Sequence, residues 1–458
     1  MSKQIKIALL MAASLFMEIM DGTIVITALP QMAKDFQTSI AQMSLLVSVY
    51  LVTVAIFLPL SGWIANYFGK KRIWLFAVLL FTVSSLGSAL AKDFTFLLTM
   101  RIIQGVSGAL MTPTARLIVL EKTPARDLLK MTSYFVWPAL LAPAIAPVIG
   151  GAIVTYFTWH WIFLINIPIG IVIVMMGISM IPKDVEFIRN KFDWIGFIEI
   201  AIASVLLVVG AEFATHSSVS LVTAGLIFIA VGLLLGAVIY NHLNKAKQPL
   251  FSLKALKITS FRISQSSGAV LWLSVGAMPY LLTLFLQNRF HWSAVVAGTY
   301  VLFIFLGNIA IKPFTTPIIR TLKYKGALFV AFGLVLLSSV AMSFIGQATY
   351  SVIIMALAFI SGVGRSLALT AFNGLNLSEI EPQDRNSANT LNAIVQTLSQ
   401  GLGIAFISLI LHLLETIFAI DTAYSISFII LGVVMLFPIW EVIKVPNDIG
   451  SKTIGGKQ

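Results

Sequence analysis

The sequence predicts an all-α membrane protein with fourteen membrane-spanning helices, on the strength of three observations. Of its 458 residues, 59% are hydrophobic and only 10% are charged, whereas soluble domains carry about 25% charged residues. The apolar residues fall into fourteen runs that are each long enough to cross a bilayer. The basic residues lie in the short segments between these runs, and they favour one side. So few charged side chains cannot cover the surface of a water-soluble fold.

The fourteen runs form groups of six, two and six along the chain. A span needs roughly 20 mostly apolar residues. The runs cover residues 7–29, 42–65, 73–91, 95–120, 131–157 and 160–182, then 194–214 and 219–243, then 263–287, 293–313, 325–346, 349–374, 388–413 and 421–443. We therefore expect two six-helix bundles, residues 1–185 and 251–445, an inserted two-helix segment, residues 186–250, and a tail, residues 446–458.

The basic residues in the loops indicate which side the termini occupy. An even number of spans places both termini on one side, and 24 lysines and arginines of the loops and tails lie there. Only Lys34, Lys92 and Arg289 lie on the opposite side. Basic loops stay in the cytoplasm, so we expect cytoplasmic termini and a multi-pass protein of the cell membrane. The net charge of +12 is then a result of topology, and nucleic acid is not an expected partner.

The sequence lacks the motifs of the common enzyme classes. It contains no phosphate-binding loop, no His-Glu-x-x-His zinc motif and no Gly-x-Ser-x-Gly nucleophile elbow. It has no cysteine, and its five histidines lie near the predicted helix ends. We therefore expect neither an enzyme nor a metal site, and no cofactor.

Two carboxylates and one guanidinium lie deep in the predicted helices of the first bundle. Glu18 and Asp21 are three residues apart, so both side chains lie on one face of the first helix. Each costs about 2.5–3.5 kcal/mol to insert at the centre of a membrane helix. Arg101 on the fourth helix and Asp21 lie at the same depth, roughly 11–14 Å below the outer surface. This depth allows contact between them, directly or through Gln104 or water, and predicts proton coupling or, alternatively, a static structural pair.

Other polar residues of the spans have weaker signals. Arg365 is a second cation within a span, and it either has a functional role or extends to the nearby membrane surface. Asn392 and Gln396 belong to a polar stripe on the thirteenth helix, which either faces a substrate path or joins helices by hydrogen bonds. Aromatic residues and methionines suit variable substrates because they repack. The candidate substrate-lining residues are Tyr50, Gln104, Trp137, Trp272, Met278, Tyr280, Asn392 and Gln396.

The two bundles resemble each other. Each has a basic loop after its second helix, at residues 69–72 and 323–326. Parallel halves of this kind are typical of secondary transporters, in which the substrate path lies between the repeats. The fifth helix, with Pro143 and Pro147 followed by Gly150 and Gly151, is predicted to bend and to pack closely.

Five segments resemble motifs of the major facilitator superfamily, and within it the fourteen-helix branch of drug:proton antiporters. They are residues 20–30 (MDGTIVITALP), 62–72 (GWIANYFGKKR), 101–105 (RIIQG), 142–151 (APAIAPVIGG) and 159–170 (WHWIFLINIPIG). The resemblance covers nearly the whole chain. It implies the major-facilitator fold, proton handling by Asp21 and proton transfer by Arg101. It also implies a gating role for Gly62, Asn66, Gly69, Lys70, Lys71, Arg72, Pro143, Pro147, Gly150 and Gly151.

The chain departs from the family pattern at several positions. Asn66 replaces the usual aspartate of the loop motif, which implies a weaker cytoplasmic lock. Ala142 and Ala146 replace glycines of the fifth-helix motif, and His160 replaces an arginine. Glu18 adds a second acid to the first helix, so the proton stoichiometry is open.

From these features we expect a monomeric bacterial exporter that moves amphipathic, often cationic drugs by alternating access, driven by the proton gradient. Its partners would be drugs, protons and the lipid bilayer. Two alternatives remain open at this stage. The first is a narrow proton-coupled exporter or symporter of one metabolite, and the second is a membrane sensor or scaffold that transports nothing.

Overall fold

The structure, a computed structural model, describes residues 3–121, 128–182, 184, 191–215, 218–246, 248–346, 349–376, 378–381 and 384–450. These residues form sixteen α-helices and no strand. The helices are α1 Lys3–Asp35, α2 Ile40–Phe68, α3 Lys70–Ala89, α4 Phe94–Glu121, α5 Leu128–Tyr156, α6 Trp161–Leu164, α7 Asn166–Met180, α8 Trp194–Phe213, α9 Val219–Lys245, α10 Thr259–Leu284, α11 Ala294–Ala310, α12 Lys312–Met342, α13 Ser351–Asn376, α14 Arg385–Ile417, α15 Ile420–Val433 and α16 Leu436–Ile443. A 3-10 turn, Lys254–Lys257, precedes α10, and a π-helical turn, Phe285–Arg289, follows it.

The helices have the length and composition of membrane spans. Within the described ranges, twelve helical segments are long and apolar enough to cross a membrane, and two shorter apolar helical segments, Leu141–Tyr156 and Ala294–Ala310, accompany them. A backbone in lipid has no water to bond to, so each segment satisfies its own amides by forming a helix. The prediction of an all-helical, multi-span membrane protein is therefore confirmed.

Several boundaries differ from the predicted runs. Helix α1 extends beyond the run 7–29 at both ends, because polar residues continue a helix once it leaves the apolar layer. The run 160–182 contains two helices, α6 and α7, separated at Ile165. The run 421–443 likewise contains α15 and α16. Hydropathy alone does not detect such interruptions, because the residues at the breaks are as apolar as their neighbours.

Helix α12 turns back on itself at Lys323. This residue has φ 57° and ψ 172°, so the helical backbone is interrupted there. Before the turn, Lys312 Nζ contacts Thr370 Oγ1 at 3.4 Å. After it, the side chain of Val335 lies beside Gly364, earlier in α13. The contacts advance along α13 before Lys323 and reverse after it, so segments 312–322 and 324–342 run in opposite directions.

The loops at Gly69 and Lys323 have the same architecture in the two halves of the chain. Gly69 has φ 101° and Lys323 has φ 57°. Two residues after each, a lysine Nζ bonds to free carbonyls at a helix end. Lys71 binds the carbonyls of Ile178 and Ile181 at 2.8 and 2.5 Å. Lys325 binds those of Ile443 and Val445 at 3.0 and 2.8 Å. Both lysines thereby satisfy carbonyls that a helix terminus leaves unpaired.

The helices of the first half, α1 to α7, pack against those of the second half, α10 to α16, at one end of the molecule. We call this end the distal side. It is the side of the α1–α2 connection, opposite Lys3 and Gly450. Helix α5 crosses α11 closely there: a Cβ added at Gly151 would lie 2.4 Å from the carbonyl oxygen of Ala294, and one at Gly298 would lie 2.1 Å from that of Pro147. Any larger side chain at either glycine would push the helices apart.

The inserted helix α8 packs against both groups. Val208 of α8 belongs to an apolar cluster with Val52 and Ile56 of α2, and Leu398 and Leu402 of α14 pack against that cluster. Helix α9 packs mainly against α8, and only 11% of its most apolar stretch is buried within the protein. The inserted pair therefore covers the line along which α2 meets α14.

Asp193 fastens the inserted pair to the segment that leads into α10. Its carboxylate accepts hydrogen bonds from the backbone N–H of Gly196 at the start of α8 and of Leu250, both at 3.0 Å. It also contacts His242 Nε2 near the end of α9 at 3.0 Å. Burial alone would raise the pKa of Asp193, but these hydrogen bonds outweigh burial and lower it.

We expect Lys323→Gly to stabilise the fold by about 1 kcal/mol. Its φ and ψ are nearly exclusive to glycine and cost other residues about 1–3 kcal/mol, whereas the added chain flexibility of glycine costs about 0.5–1 kcal/mol. The Lys323 side chain is exposed, so its loss removes no packing. The midpoint of thermal unfolding in detergent measures the effect.

The matched control for that substitution is Gly69→Ala, which introduces the same strain into the other half and lowers the midpoint. An unfolding midpoint that falls for Lys323→Gly would contradict the assignment of strain at Lys323.

Candidate functional site

A buried ion pair joins α1 to α4. Arg101 Nη1 lies 2.5 Å from Asp21 Oδ2, and both side chains are 0% exposed. The contact that their equal depth makes feasible is therefore present and direct. At this depth, far from water, each charge depends on the other for its stability.

The second carboxylate oxygen of Asp21 is also satisfied. Asn166 Nδ2 of α7 donates to Asp21 Oδ1 at 2.7 Å, and Gln104 Nε2 lies 3.4 Å from the same atom. Both amides also donate to Ser85 Oγ of α3, at 3.3 Å from Asn166 and 2.8 Å from Gln104. Residues of α1, α3, α4 and α7 thus form one network around the carboxylate, and Ser85 donates in turn to the carbonyl of Phe81 at 2.8 Å.

The guanidinium of Arg101 has further partners on α2 and α4. Its Nε donates to the carbonyl of Leu46 at 3.0 Å, and its Nη1 also donates to Gln104 Oε1 at 2.8 Å. The ring of Tyr50 lies 4.3 Å from its Cζ and the ring of Phe163 lies 5.8 Å from it. Aromatic faces at these distances attract a cation. Tyr50, a candidate substrate residue in the sequence, is thus placed against Arg101.

Glu18 lies almost one turn from Asp21 and has a different environment. The Thr112 hydroxyl of α4 donates to its Oε2, and a Cβ added at Gly108 would lie 3.0 Å from its Oε1. Tyr50 Oη lies 3.4 Å from the backbone carbonyl of Glu18. Glu18 is 9% exposed. No basic side chain of the described residues pairs with this carboxylate. Glu18 therefore differs from Asp21 in having no cationic partner there.

The apolar candidates of the second half lie mainly at the distal contact between the halves. Tyr280 and Met278 are almost completely buried in the distal core. Tyr280 Oη donates to Ser408 Oγ at 3.1 Å, and Ser408 in turn contacts Ser44 Oγ of α2 at 3.0 Å. Trp272 is half-buried on α10. The side chain of Trp137 lies outside the described side chains.

The polar candidates of α14 join helices. Asn392 Oδ1 accepts from Gln265 Nε2 of α10 at 3.3 Å and from Asn376 Nδ2 of α13 at 2.9 Å. This matches the hydrogen-bonding alternative for Asn392. Gln396, one turn further, is half-buried.

The motif residues with predicted gating roles lie at both ends of the first half. Gly69 and Lys71 form the loop described above, Lys70 and Asn66 are half-buried, and Arg72 is exposed. A Cβ at Gly62 would meet nothing within 4 Å.

The fifth-helix motif residues lie along contacts of α5. Pro143 is half-buried and Pro147 is buried. A Cβ at Gly150 would lie 2.4 Å from Thr27 Oγ1 of α1, and Gly151 faces Ala294 of α11. Adjacent glycines thus allow α5 to approach its own half and the other half.

Four residues of this site were not predicted from the sequence: Ser85, Thr112, Phe163 and Asn166. Asn166 carried a usable signal, because it is the one amide in the apolar run 161–170. The hydroxyl groups carried none, since serine and threonine commonly bond to their own helix backbone.

The family model of the Major Facilitator Superfamily matches residues 11–404. The chain belongs to the Major Facilitator Superfamily. Among curated relatives, a protein of Enterobacter sp. (strain 638), named "Putative multidrug resistance protein MdtD", is 30% identical over 98% of this chain and 96% of its own length. A protein of Escherichia coli O6:H1 with the same name is 30% identical, over 96% and 94%.

Solved structures share the major-facilitator fold. The peptide transporter POT in complex with sulfate aligns with a TM-score of 0.69 at 13% identity, over 98% of this chain and 96% of that one. The human organic anion transporter MFSD10 aligns with a TM-score of 0.64 at 12% identity, over 96% and 100%. This chain is thus a transporter of the Major Facilitator Superfamily and not an enzyme, a multi-pass protein of the type found in bacterial cell membranes.

We expect Asp21→Asn to destabilise the protein by about 3–5 kcal/mol, because it leaves the guanidinium of Arg101 buried without a counter-charge. Arg101→Met should cost less, since the remaining carboxyl can take up a proton and arginine cannot lose one. The double variant should recover most of the lost stability. Unfolding midpoints of the four proteins in detergent test this order, and additive effects of the two substitutions would show that the pair is not coupled.

Proposed function

We propose that this transporter is a proton-coupled exporter of amphipathic, often cationic drugs. The observation that carries the proposal is the Asp21 carboxylate, which is fully buried, paired with Arg101 and held by donors from α4 and α7. When a carboxylate in this position gains a proton, it loses the negative charge on which its neighbours depend. Protonation removes the charge that stabilises Arg101, and the network must then rearrange.

In the proposed cycle, Asp21 is the main proton carrier. Arg101 keeps the Asp21 carboxylate ionised until a substrate or the closure of the transporter disturbs the ion pair. Glu18 supplies a second carboxylate whose only side-chain partner among the described residues is the Thr112 hydroxyl. Such a carboxylate can hold a proton or a drug cation, but not both. This exclusion is the physical basis for exchanging one for the other.

The topology needed for this function has fourteen spans with both termini in the cytoplasm. The bundles would be residues 1–185 and 251–445, with residues 186–250 inserted and 446–458 as a tail, in a monomer. The distal side then faces the outside, and the contacts of α5 with α11 and of α2 with α14 would close the outer end. Alternating access requires these contacts to separate while the opposite end closes.

The curated relatives named as multidrug resistance proteins support the substrate class. The energy source would be the proton gradient, with no cofactor. A narrow exporter or symporter of one metabolite, and a sensor that transports nothing, are the outcomes against which the proposal is tested.

Proton exchange in liposomes tests the coupling. With purified protein and an imposed pH gradient, ethidium or a fluoroquinolone should drive proton movement in wild type. Asp21→Asn and the folded double variant Asp21→Asn/Arg101→Met should lose it by at least about tenfold, because neither has an acid at position 21. The effect of Glu18→Gln then shows whether one or two carboxylates carry protons.

The double variant is the control for folding, since it leaves no unpaired charge at positions 21 and 101. If wild type moves no protons with any drug, the multidrug proposal is wrong. Proton-coupled movement of a single metabolite would instead identify the narrow transporter.

A disulfide across the distal contact tests alternating access. The chain has no cysteine, and the hydroxyls of Ser44 and Ser408 lie 3.0 Å apart on α2 and α14. Ser44→Cys/Ser408→Cys should form a disulfide on oxidation and lose exchange, because the outer end can no longer open. A reductant should restore exchange, and each single cysteine variant should be insensitive to oxidant. Unchanged exchange in the fully cross-linked protein would contradict opening at this contact.

A further inference from the structure

Arg365 is a buried cation of the second half that the proposed proton cycle does not use. It lies on α13 and is 2% exposed. Its Nη2 donates to Ser274 Oγ of α10 at 2.8 Å, and its Nη1 donates to the carbonyl of Ser361 at 3.2 Å and to the Ser361 hydroxyl. Its buried Nε has no hydrogen-bond partner. Every partner that the described residues give this guanidinium is therefore neutral, and its Nε–H is unused.

The surrounding helices contain no acid that could neutralise Arg365. Residues 213–378, which include all of α10 to α13, contain neither aspartate nor glutamate. The nearest acid along α10 is Glu441 of α16, which accepts from Ser266 and Ser267. Those serines precede Ser274 by about two helical turns, which corresponds to roughly 11 Å.

A buried guanidinium that stays charged requires an opposite charge nearby. Arginine cannot escape this cost by losing its proton. Since α10 to α13 supply no such charge and no acid of the described residues contacts Arg365, a mobile anion can provide the compensation. The unused Nε and the two serine hydroxyls provide donors for it.

The contact between Arg365 and Ser274 corresponds in position to the contact between Gly108 and Glu18 in the first half. Ser274, which contacts Arg365, lies as far from the first residue of α10 as Glu18 lies from the first residue of α1. Arg365 in turn lies as far along α13 as Gly108, which lies against Glu18, does along α4. Parallel repeats place such positions at one depth, on either side of the substrate path. The repeat relation thus places the Glu18 carboxylate and the Arg365 guanidinium at one depth in opposite halves.

We propose that Arg365 binds the carboxylate of a transported compound whose amine is bound by Glu18. The substrate class would be zwitterionic amphiphiles that carry an amine and a carboxylate. This inference rests on the proposed export function and adds its anionic subsite. It explains why Arg365 is buried without a carboxylate partner among the described residues, where an apolar side chain would pack at lower cost.

Binding of ciprofloxacin and of its methyl ester tests the inference. The two compounds share the amine and the ring system, and only the acid has the anionic group. Calorimetry on the full-length protein in lipid nanodiscs gives the ratio of the two dissociation constants. We expect Arg365→Met to reduce the preference for the acid about tenfold or more, and Arg365→Lys to retain part of it. The control is Arg289→Met, which removes a cation paired with Asp421 and should leave the ratio unchanged.

Thermal unfolding without drug separates binding from a structural role. If Arg365 serves a ligand, Arg365→Met keeps or raises the unfolding midpoint, because it removes an uncompensated buried charge. A strongly lowered midpoint, or equal loss of acid and ester binding, would overturn the inference.

The inference and the proposed function fail in different ways. If wild type exchanges ethidium for protons but binds acid and ester equally, the anionic subsite is wrong and the export proposal stands. If the acid binds through Arg365 but no drug moves protons, the subsite stands and the export proposal fails.

Discussion

One carboxylate paired with one guanidinium in the middle of a helix bundle constrains the surrounding structure. Neither charge is stable there alone, so α1 and α4 must keep a fixed register, and Asn166 must bring α7 to the same point. Tyr50 covers the guanidinium with its ring, which also fixes α2. The first half is therefore organised around a charge pair that water does not reach, and a gain of one proton would affect four helices at once.

The two halves solve the problem of a buried charge differently. The first half neutralises Arg101 with Asp21 and leaves Glu18 with a hydroxyl partner. In the second half, the buried Arg365 guanidinium donates only to neutral acceptors. The acid-free stretch of residues 213–378 includes all of α10 to α13, where this cation lies. The asymmetry gives the interior of the molecule a negative and a positive side, and this suits a ligand that carries both charges.

Much of this arrangement could be predicted from the sequence. Apolar runs identified the helices because lipid forces each span to be long and uninterrupted by charge. Equal depth was sufficient to associate Asp21 with Arg101. The turn at Lys323 falls in the basic loop that the sequence predicts at residues 323–326. The break at Ile165 could not be predicted, because the residues around it are unremarkable in hydropathy. The partners of the Asn392 side chain could not be predicted either, since periodicity gives the face of a helix but not the neighbour that this face meets.

Sequence also assigned no function to the inserted pair, and the structure suggests a physical one. Helix α8 touches α2 and α14 through aliphatic and aromatic side chains. Apolar contacts are non-directional and individually weak, so they can be exchanged for similar contacts at little cost. In the proposed alternating-access cycle, α8 would slide along one half without breaking an ordered bond, and it would keep lipid tails out of the seam.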